Sequence, residues 1–129
     1  YAVLDTASRT MTYINAGHNP PLLFRGNEII RLRTGGVPVG LFNDAAYNQE
    51  TLQILPGDML VIYSDGFSEA PNADWEQFGE DQIIKVVRQH FNQKPMEIID
   101  ELEQSVTKFI STQINYSDDR TIVILKSVV

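Results

Sequence analysis

The sequence predicts a layered α+β domain in which helices cover one face of an antiparallel sheet, and three observations lead there. Short apolar or β-branched runs separated by turn signals fill the chain up to Ser64. Two stretches between Gly79 and Ile110 repeat apolar residues at helical spacing. A last β-branched run, Thr121 to Leu125, brings the chain back to the sheet. Strands, then helices, then a strand is an order that packs as helices on a sheet.

Taken in turn, Tyr1 to Asp5 and Thr10 to Asn15 flank the polar loop Thr6-Ala7-Ser8-Arg9, a spacing that suits a hairpin. Pro21 to Arg25 and Glu28 to Leu32 flank Gly26-Asn27, a second hairpin signal, and a meander is the economical arrangement. In Thr34-Gly35-Gly36-Val37-Pro38-Val39-Gly40, three glycines and a proline exclude regular structure. That loop is open to two readings, a flap over a substrate or an ordinary tight connection, and Asn43 to Tyr47 is a turn or a flap. Glu50 to Leu55 and Met59 to Ser64 read as strands joined by the turn Pro56-Gly57-Asp58. From Asp65 to Asp74 the chain turns polar and irregular, and then carries Trp75 and Phe78, which are packing residues or a partner contact. In the first helix Ile83, Ile84, Val87 and Phe91 share a face behind an acidic first turn, Gly79-Glu80-Asp81. In the second, Pro95 marks the start and Ile98, Ile99, Leu102, Val106, Phe109 and Ile110 form the stripe. Thr121 to Leu125 reads as a buried strand.

Composition narrows the function classes. A chain of 129 residues with 43% apolar content suits a single domain with a real core. Its apolar runs are far shorter than the roughly 20 residues of a membrane-spanning helix. No signal segment opens it. The absence of cysteine excludes a thiol nucleophile, a thiolate metal site and a disulfide framework, and fits a reducing cytoplasm. A net charge of −7 with scattered basic residues argues against nucleic-acid binding. It also sets a condition on any phosphorylated substrate, because carboxylates repel phosphate unless cations neutralise them.

Carboxylates stand where two of the expected strands end. Asp65 follows the run Met59 to Ile62 within Tyr63-Ser64-Asp65-Gly66, and Asp118-Asp119 precede Thr121 to Leu125. Hard cations such as Mg²⁺ and Mn²⁺ prefer oxygen ligands, and carboxylates on neighbouring strand ends are held at fixed spacing. Each feature has a plainer reading by itself: Asp-Gly is common in turns, and an acidic pair often caps or ends a loop.

Four segments occur in order: Ala16-Gly17-His18-Asn19-Pro20-Pro21, Gly36-Val37-Pro38-Val39-Gly40, Gly57 to Ala70 with Tyr63-Ser64-Asp65-Gly66-Phe67-Ser68-Glu69-Ala70 at its end, and Asp118-Asp119-Arg120-Thr121. Together they resemble the PPM-type (protein phosphatase 2C-like) serine/threonine phosphatases of the bacterial SpoIIE-type branch. The resemblance implies an antiparallel β-sandwich flanked by helices, in α-β-β-α layers, with a binuclear Mg²⁺/Mn²⁺ centre at one end. It implies that Asp65 and Asp118 ligate one metal, with Asp119 and Gly66 supporting, and that the catalyst is a metal-activated water rather than a covalent intermediate. The family's bridging aspartate, followed by glycine on an earlier strand, has no counterpart here. Residues 1–129 are therefore expected to be the C-terminal portion of the domain, without its N-terminal strands and first metal motif, and inactive by themselves; a start at Tyr1 inside a strand fits that expectation. The resemblance further implies a phosphorylated regulatory protein as substrate, of the anti-sigma factor antagonist type, and an upstream sensor or regulatory domain. A homodimer stays open.

His18 suits a general acid, a metal ligand or a structural role bonding a turn, and the last is favoured because its only partner histidine, His90, falls on an expected helix. Two other classes compete with the phosphatase. A non-catalytic interaction or dimerisation module on the same fold is favoured by the missing acid. A nucleotide-processing metalloenzyme is the weakest, since the chain has neither a Gly-rich phosphate loop ending in Lys-Ser/Thr nor a basic cluster.

Overall fold

The computed structural model describes residues 1–110 and 116–128. Its contacts divide the chain into two compact units, residues 1–62 with 125–129, and residues 63–124.

The first unit begins with the expected hairpin: β1 (Ala2–Asp5) and β2 (Thr10–Tyr13) pair antiparallel with Ala2 opposite Tyr13 and Asp5 opposite Thr10. The Asp5 carboxylate accepts the Ala7 and Ser8 amides and so closes the loop. Next come β3 (Asn15–Ala16), then β4 (Leu22–Arg25) and β5 (Glu28–Arg31), which form the second hairpin around Gly26 at φ 55°. β6 (Gly35–Gly36) pairs parallel with β3, which corrects the expectation that Thr34 to Gly40 holds no regular structure. Gly35 passes so close to Asn15 that a Cβ there would sit 1.7 Å from its carbonyl oxygen, which accounts for a glycine in this loop and favours the tight connection. β7 (Glu50–Gln53) pairs with β2, and β8 (Met59–Tyr63) pairs with β4.

A further expectation is corrected here. The strands do not form a meander, since the sheet orders are β1-β2-β7 and β5-β4-β8-β9, with β9 being Ile122–Lys126. The expected turn at Pro56-Gly57-Asp58 carries the chain from one sheet to the other. Arg25 sets that corner by donating to both oxygens of Asp58 and, through Nη2, to the Gln53 carbonyl 2.6 Å away. The buried Asp58 carboxylate also accepts the Leu55 amide. Ends of β4 and β7 and the start of β8 are thereby tied to one ion pair.

The inner faces of the two sheets meet in a single apolar cluster. Met11 and Tyr13 of β2, with Leu4 and Leu52, face Leu23, Leu60, Ile30, Ile62 and Leu125. The alternation in β2, where Met11 and Tyr13 are buried and Thr10 and Thr12 are not, is the period of a half-buried strand. β4 and the body of β8 are buried on both faces, in keeping with their unbroken runs Leu22-Leu23-Phe24 and Met59-Leu60-Val61.

The second unit holds the helices. α1 (Asp65–Ser68) is one turn long and begins at Asp65, where an irregular stretch was expected. α2 (Gly79–Gln89) buries Ile83, Val86 and Val87, and α3 (Pro95–Phe109) buries Ile98, Leu102 and Val106. The Glu97 carboxylate accepts the Lys94 amide and caps α3. The two helices pack together, with Phe78 edge-on to Phe109 at 5.3 Å. Phe78 is thus a packing residue, whereas Trp75 is 73% exposed. β9 has no fully buried residue, with Val123 exposed and the other four half-buried, and it ends its sheet order, so the expectation of a buried strand is corrected. β-branched content reports fitness for a pleated surface, not depth. The architecture is mixed helix and antiparallel sheet, as expected. No helix among the described residues is long and apolar enough to cross a membrane.

Candidate metal-ligand site at the end of β8

β8 ends at Tyr63 and the chain turns at once into α1, so Asp65 occupies the first position of a helix with Ser64 as its extended cap. Ser64 does not cap α1 with its side chain. Its amide donates to the Thr121 carbonyl at 2.9 Å, its hydroxyl accepts the Thr121 amide at 2.9 Å, and the same hydroxyl donates to the Asp119 carbonyl at 3.2 Å. One small side chain therefore joins the segment carrying Asp65 to the segment carrying Asp118 and Asp119.

Gly66 explains how close the two segments come. It is buried, and a Cβ on it would lie 2.4 Å from the Asp119 carbonyl oxygen and 3.1 Å from Arg120 Cγ. Only a residue without a side chain fits between α1 and that backbone. Arg120 is held off to the side by Glu103 of α3 at 3.1 Å.

Asp65, Asp118 and Asp119 are all exposed. Asp118 is the most constrained of them. Its Oδ1 accepts the Asp119 amide at 2.8 Å, and its Oδ2 lies 3.4 Å from the Tyr116 hydroxyl, which also lies 3.3 Å from the Gly66 carbonyl. Burial raises the Tyr116 phenol above the usual tyrosine value, and the negative charges of Asp118, Glu69 and Asp65 push the same way. Of these carboxylates, Asp118 is the one within hydrogen-bond distance of that hydroxyl.

Oxygen donors of this kind suit a hard divalent cation in type. In number they fall short, because among the described residues no group of three or more His, Asp or Glu could hold a metal. Sequence reasoning singled out Asp65, Gly66, Asp118 and Asp119 but missed Tyr116. The available signal was its i, i+2 spacing to Asp118, which puts both side chains on one side of an extended chain.

His18 lies elsewhere, in the first unit. Its amide donates to the Asn15 side chain at 2.9 Å, Asn15 donates back to its carbonyl at 3.0 Å, and its Nδ1 is 2.8 Å from the Asn19 carbonyl. It also edges an apolar cavity of about 460 Å³ between Tyr1, Met11, Tyr13, Leu32 and Leu60. That cavity contains none of the candidate carboxylates.

Residues 1–128 match the family described as Stage II sporulation protein E (SpoIIE). Protein IcfG of Synechocystis is 30% identical over 98% of this chain and 20% of its own length. Phosphoserine phosphatase RsbU of Bacillus subtilis is 27% identical over 98% of this chain and 37% of its own length. Among solved structures, the phosphatase domain of SpoIIE from Bacillus subtilis superposes with a TM-score of 0.70 at 23% identity, over 99% of this chain and 57% of that one. The SiaA-PP2C domain of Pseudomonas aeruginosa superposes with a TM-score of 0.78 at 19% identity, over 95% of this chain and 48% of that one. The chain thus spans between a fifth and two fifths of these two relatives and about half of these solved domains. With a family match along nearly its whole length and the fold of the solved phosphatase domains, the chain belongs to the SpoIIE family.

Proposed function

We propose that this chain is the later part of a metal-dependent serine/threonine protein phosphatase domain, in which Asp65 and Asp118 hold one divalent cation, Mg²⁺ or Mn²⁺, and Asp119 and Gly66 support them. The observation that carries the reading is the junction at Ser64, which keeps the Asp65 and Asp118 segments hydrogen-bonded to each other. Relatives named phosphoserine phosphatase, RsbU and RsbP, support the activity. A SpoIIE domain structure presoaked with Mn and an RsbX structure in complex with magnesium support the choice of cation.

The chemistry supplied when such cations are bound is acidification of water and neutralisation of phosphoryl charge. This chain's own contribution is narrower. Asp65 and Asp118 present hard oxygens, Ser64 fixes the distance between their segments, and Gly66 lets them approach. With no cysteine, the chain offers no thiol for a covalent phosphoenzyme. The remaining donors, including the bridging acid, belong to parts of the whole protein outside these residues, so the chain by itself is inactive. We infer a cytoplasmic protein in bacterial signalling, acting on a phosphorylated regulatory protein of the anti-sigma factor antagonist type and carrying an upstream sensor or regulatory domain.

A second reading, a non-catalytic interaction or dimerisation module, is favoured by the lack of a three-ligand cluster among the described residues. Hydrolysis of an aryl phosphate by the full-length protein separates the two. Asp65→Asn and Asp118→Asn should each lower the Mn²⁺-dependent rate at least about 100-fold while circular dichroism is unchanged, each removing a cation ligand. Near-normal rates in either variant would overturn the ligand assignment, and a wild-type protein inert with Mn²⁺ would favour the module.

A further inference from the structure

We propose that Trp75, with the acidic turn that carries it, is a docking point for a basic, arginine-bearing segment of a partner protein, a guanidinium stacking on the indole face while Asp74 and Glu76 offset its charge. The inference goes beyond the phosphatase reading and needs no bound cation. It rests on an exposed aromatic ring that neither the core nor the strand-end carboxylates use.

Trp75 is the chain's only tryptophan, and 73% of it is exposed. The backbone beneath the ring is fixed. Asn72 Oδ1 accepts the Asp74 amide at 3.0 Å and the Glu76 amide at 2.9 Å, Asn72 Nδ2 donates to Glu76 Oε2 at 2.9 Å, and the Trp75 amide donates to the Asn72 carbonyl at 3.1 Å. At the base of the turn the Phe78 amide donates to the Ala70 carbonyl at 2.8 Å and Pro71 bridges Gln77, with Ala70, Pro71 and Phe78 buried. None of these bonds involves the indole, and a glycine would suit the φ of 63° better. A large apolar ring is thus kept in water on a rigid mount. In that state a tryptophan serves as an interface anchor with little ordering cost left to meet on binding.

Charge selects the partner. From Ser64 to Ile84 the chain carries Asp65, Glu69, Asp74, Glu76, Glu80 and Asp81 and no Lys, Arg or His. Asp74 and Glu76, on either side of Trp75 in the chain, are both exposed. The acids alone make no site; they decide which side chains approach the indole, repelling acidic segments and drawing basic ones. An uncharged apolar partner would bury the two carboxylates unpaired, at a penalty. An indole is the best aromatic acceptor for a cation, and arginine is the commoner donor. Its planar guanidinium both stacks on the ring and pairs with carboxylates, whereas the lysine ammonium holds its water more strongly.

The test is titration of the full-length protein with a fluorescein-labelled hexapeptide of alternating glycine and arginine, read by anisotropy, beside lysine and glutamate counterparts. The arginine peptide should bind tightest and the glutamate peptide not at all. Trp75→Gly should weaken arginine-peptide binding at least about fivefold, as loss of a cation–π contact implies, without lowering the melting temperature, and Trp75→Phe should restore part of it. Asp74→Asn combined with Glu76→Gln should weaken it as well and flatten its dependence on salt. In protein labelled with 5-fluorotryptophan, the ¹⁹F resonance absent from Trp75→Gly should shift along the peptide's binding curve. Wild type that binds no arginine peptide, unchanged affinity in Trp75→Gly, a resonance that stays put, or equal binding of the glutamate peptide would each overturn the proposal. So would a ring already covered in the free protein: a resonance insensitive to a soluble paramagnetic agent would make the occupant another part of the same polypeptide, and one that moves on dilution would make it a second copy. None of these readouts involves Mn²⁺ or hydrolysis, so failure of the phosphatase reading leaves this result to stand or fall separately.

Discussion

Trp75 holds a φ of 63° with its ring mostly in water. A side chain in the left-handed region costs on the order of 1 kcal/mol, and burial does not return that here. The Asn72 side chain keeps the conformation by accepting the Asp74 and Glu76 amides, while the Trp75 amide donates to the Asn72 carbonyl. Trp75→Gly should therefore raise stability by about 1 kcal/mol in urea unfolding, and a loss of stability would show unseen packing on the ring. Gly66 answers to the opposite constraint. Gly66→Ala must push the Asp119 backbone away, at a cost of about 1–3 kcal/mol, and should disturb the ligand segments with it. A melting curve checks the first effect and Mn²⁺ titration of the full-length protein the second. The identity of Gly66 was legible in the sequence, because glycine follows the strand-end aspartate. What it accommodates was not, since the neighbour lies more than 50 residues along the chain.

At the scale of elements, both hairpins were legible because their turns are local: Asp5 closes one and Gly26 the other. The partners of β7 and β8 were not. At the corner between them, Arg25 meets Gln53 and Asp58 from a stretch about 30 residues earlier in the chain. Arg25→Ala leaves the buried Asp58 carboxylate without its counter-charge and should destabilise the fold by about 3 kcal/mol, as measured by chemical denaturation. The β2–β7 edge carries a pH-dependent contact. Thr34 and Tyr13 donate to the Glu50 carboxylate and hold it below its usual range. A depressed folded value means stability that is present above the unfolded value of about 4.3 and lost as pH falls through the folded one. Glu50→Gln should accordingly lower the melting temperature at pH 7 and flatten its dependence below about pH 4. An unchanged acid limb would show that the contact is not maintained in solution. Screening at this exposed position keeps the effect small.

For the whole molecule, the carboxylates were visible because each stands beside a strand, Asp65 just after β8 and Asp118-Asp119 just before β9, while the tyrosine near Asp118 was overlooked because its one signal was an i, i+2 spacing. The ligand count leads to a prediction at this scale. Mn²⁺ titrated into the 129-residue chain alone should bind weakly, with a dissociation constant of about 1 mM, since two carboxylates supply few of the 6 oxygens such ions prefer. A micromolar site would mean that these residues complete a centre unaided. The Ser64 junction has one more consequence. Residues 65–120 leave and rejoin the chain at two points hydrogen-bonded to each other, so the excursion is closed at its neck. Cutting the backbone in the exposed turn between Asp74 and Trp75 would give a nicked protein whose two acidic arms remain laced together at their base.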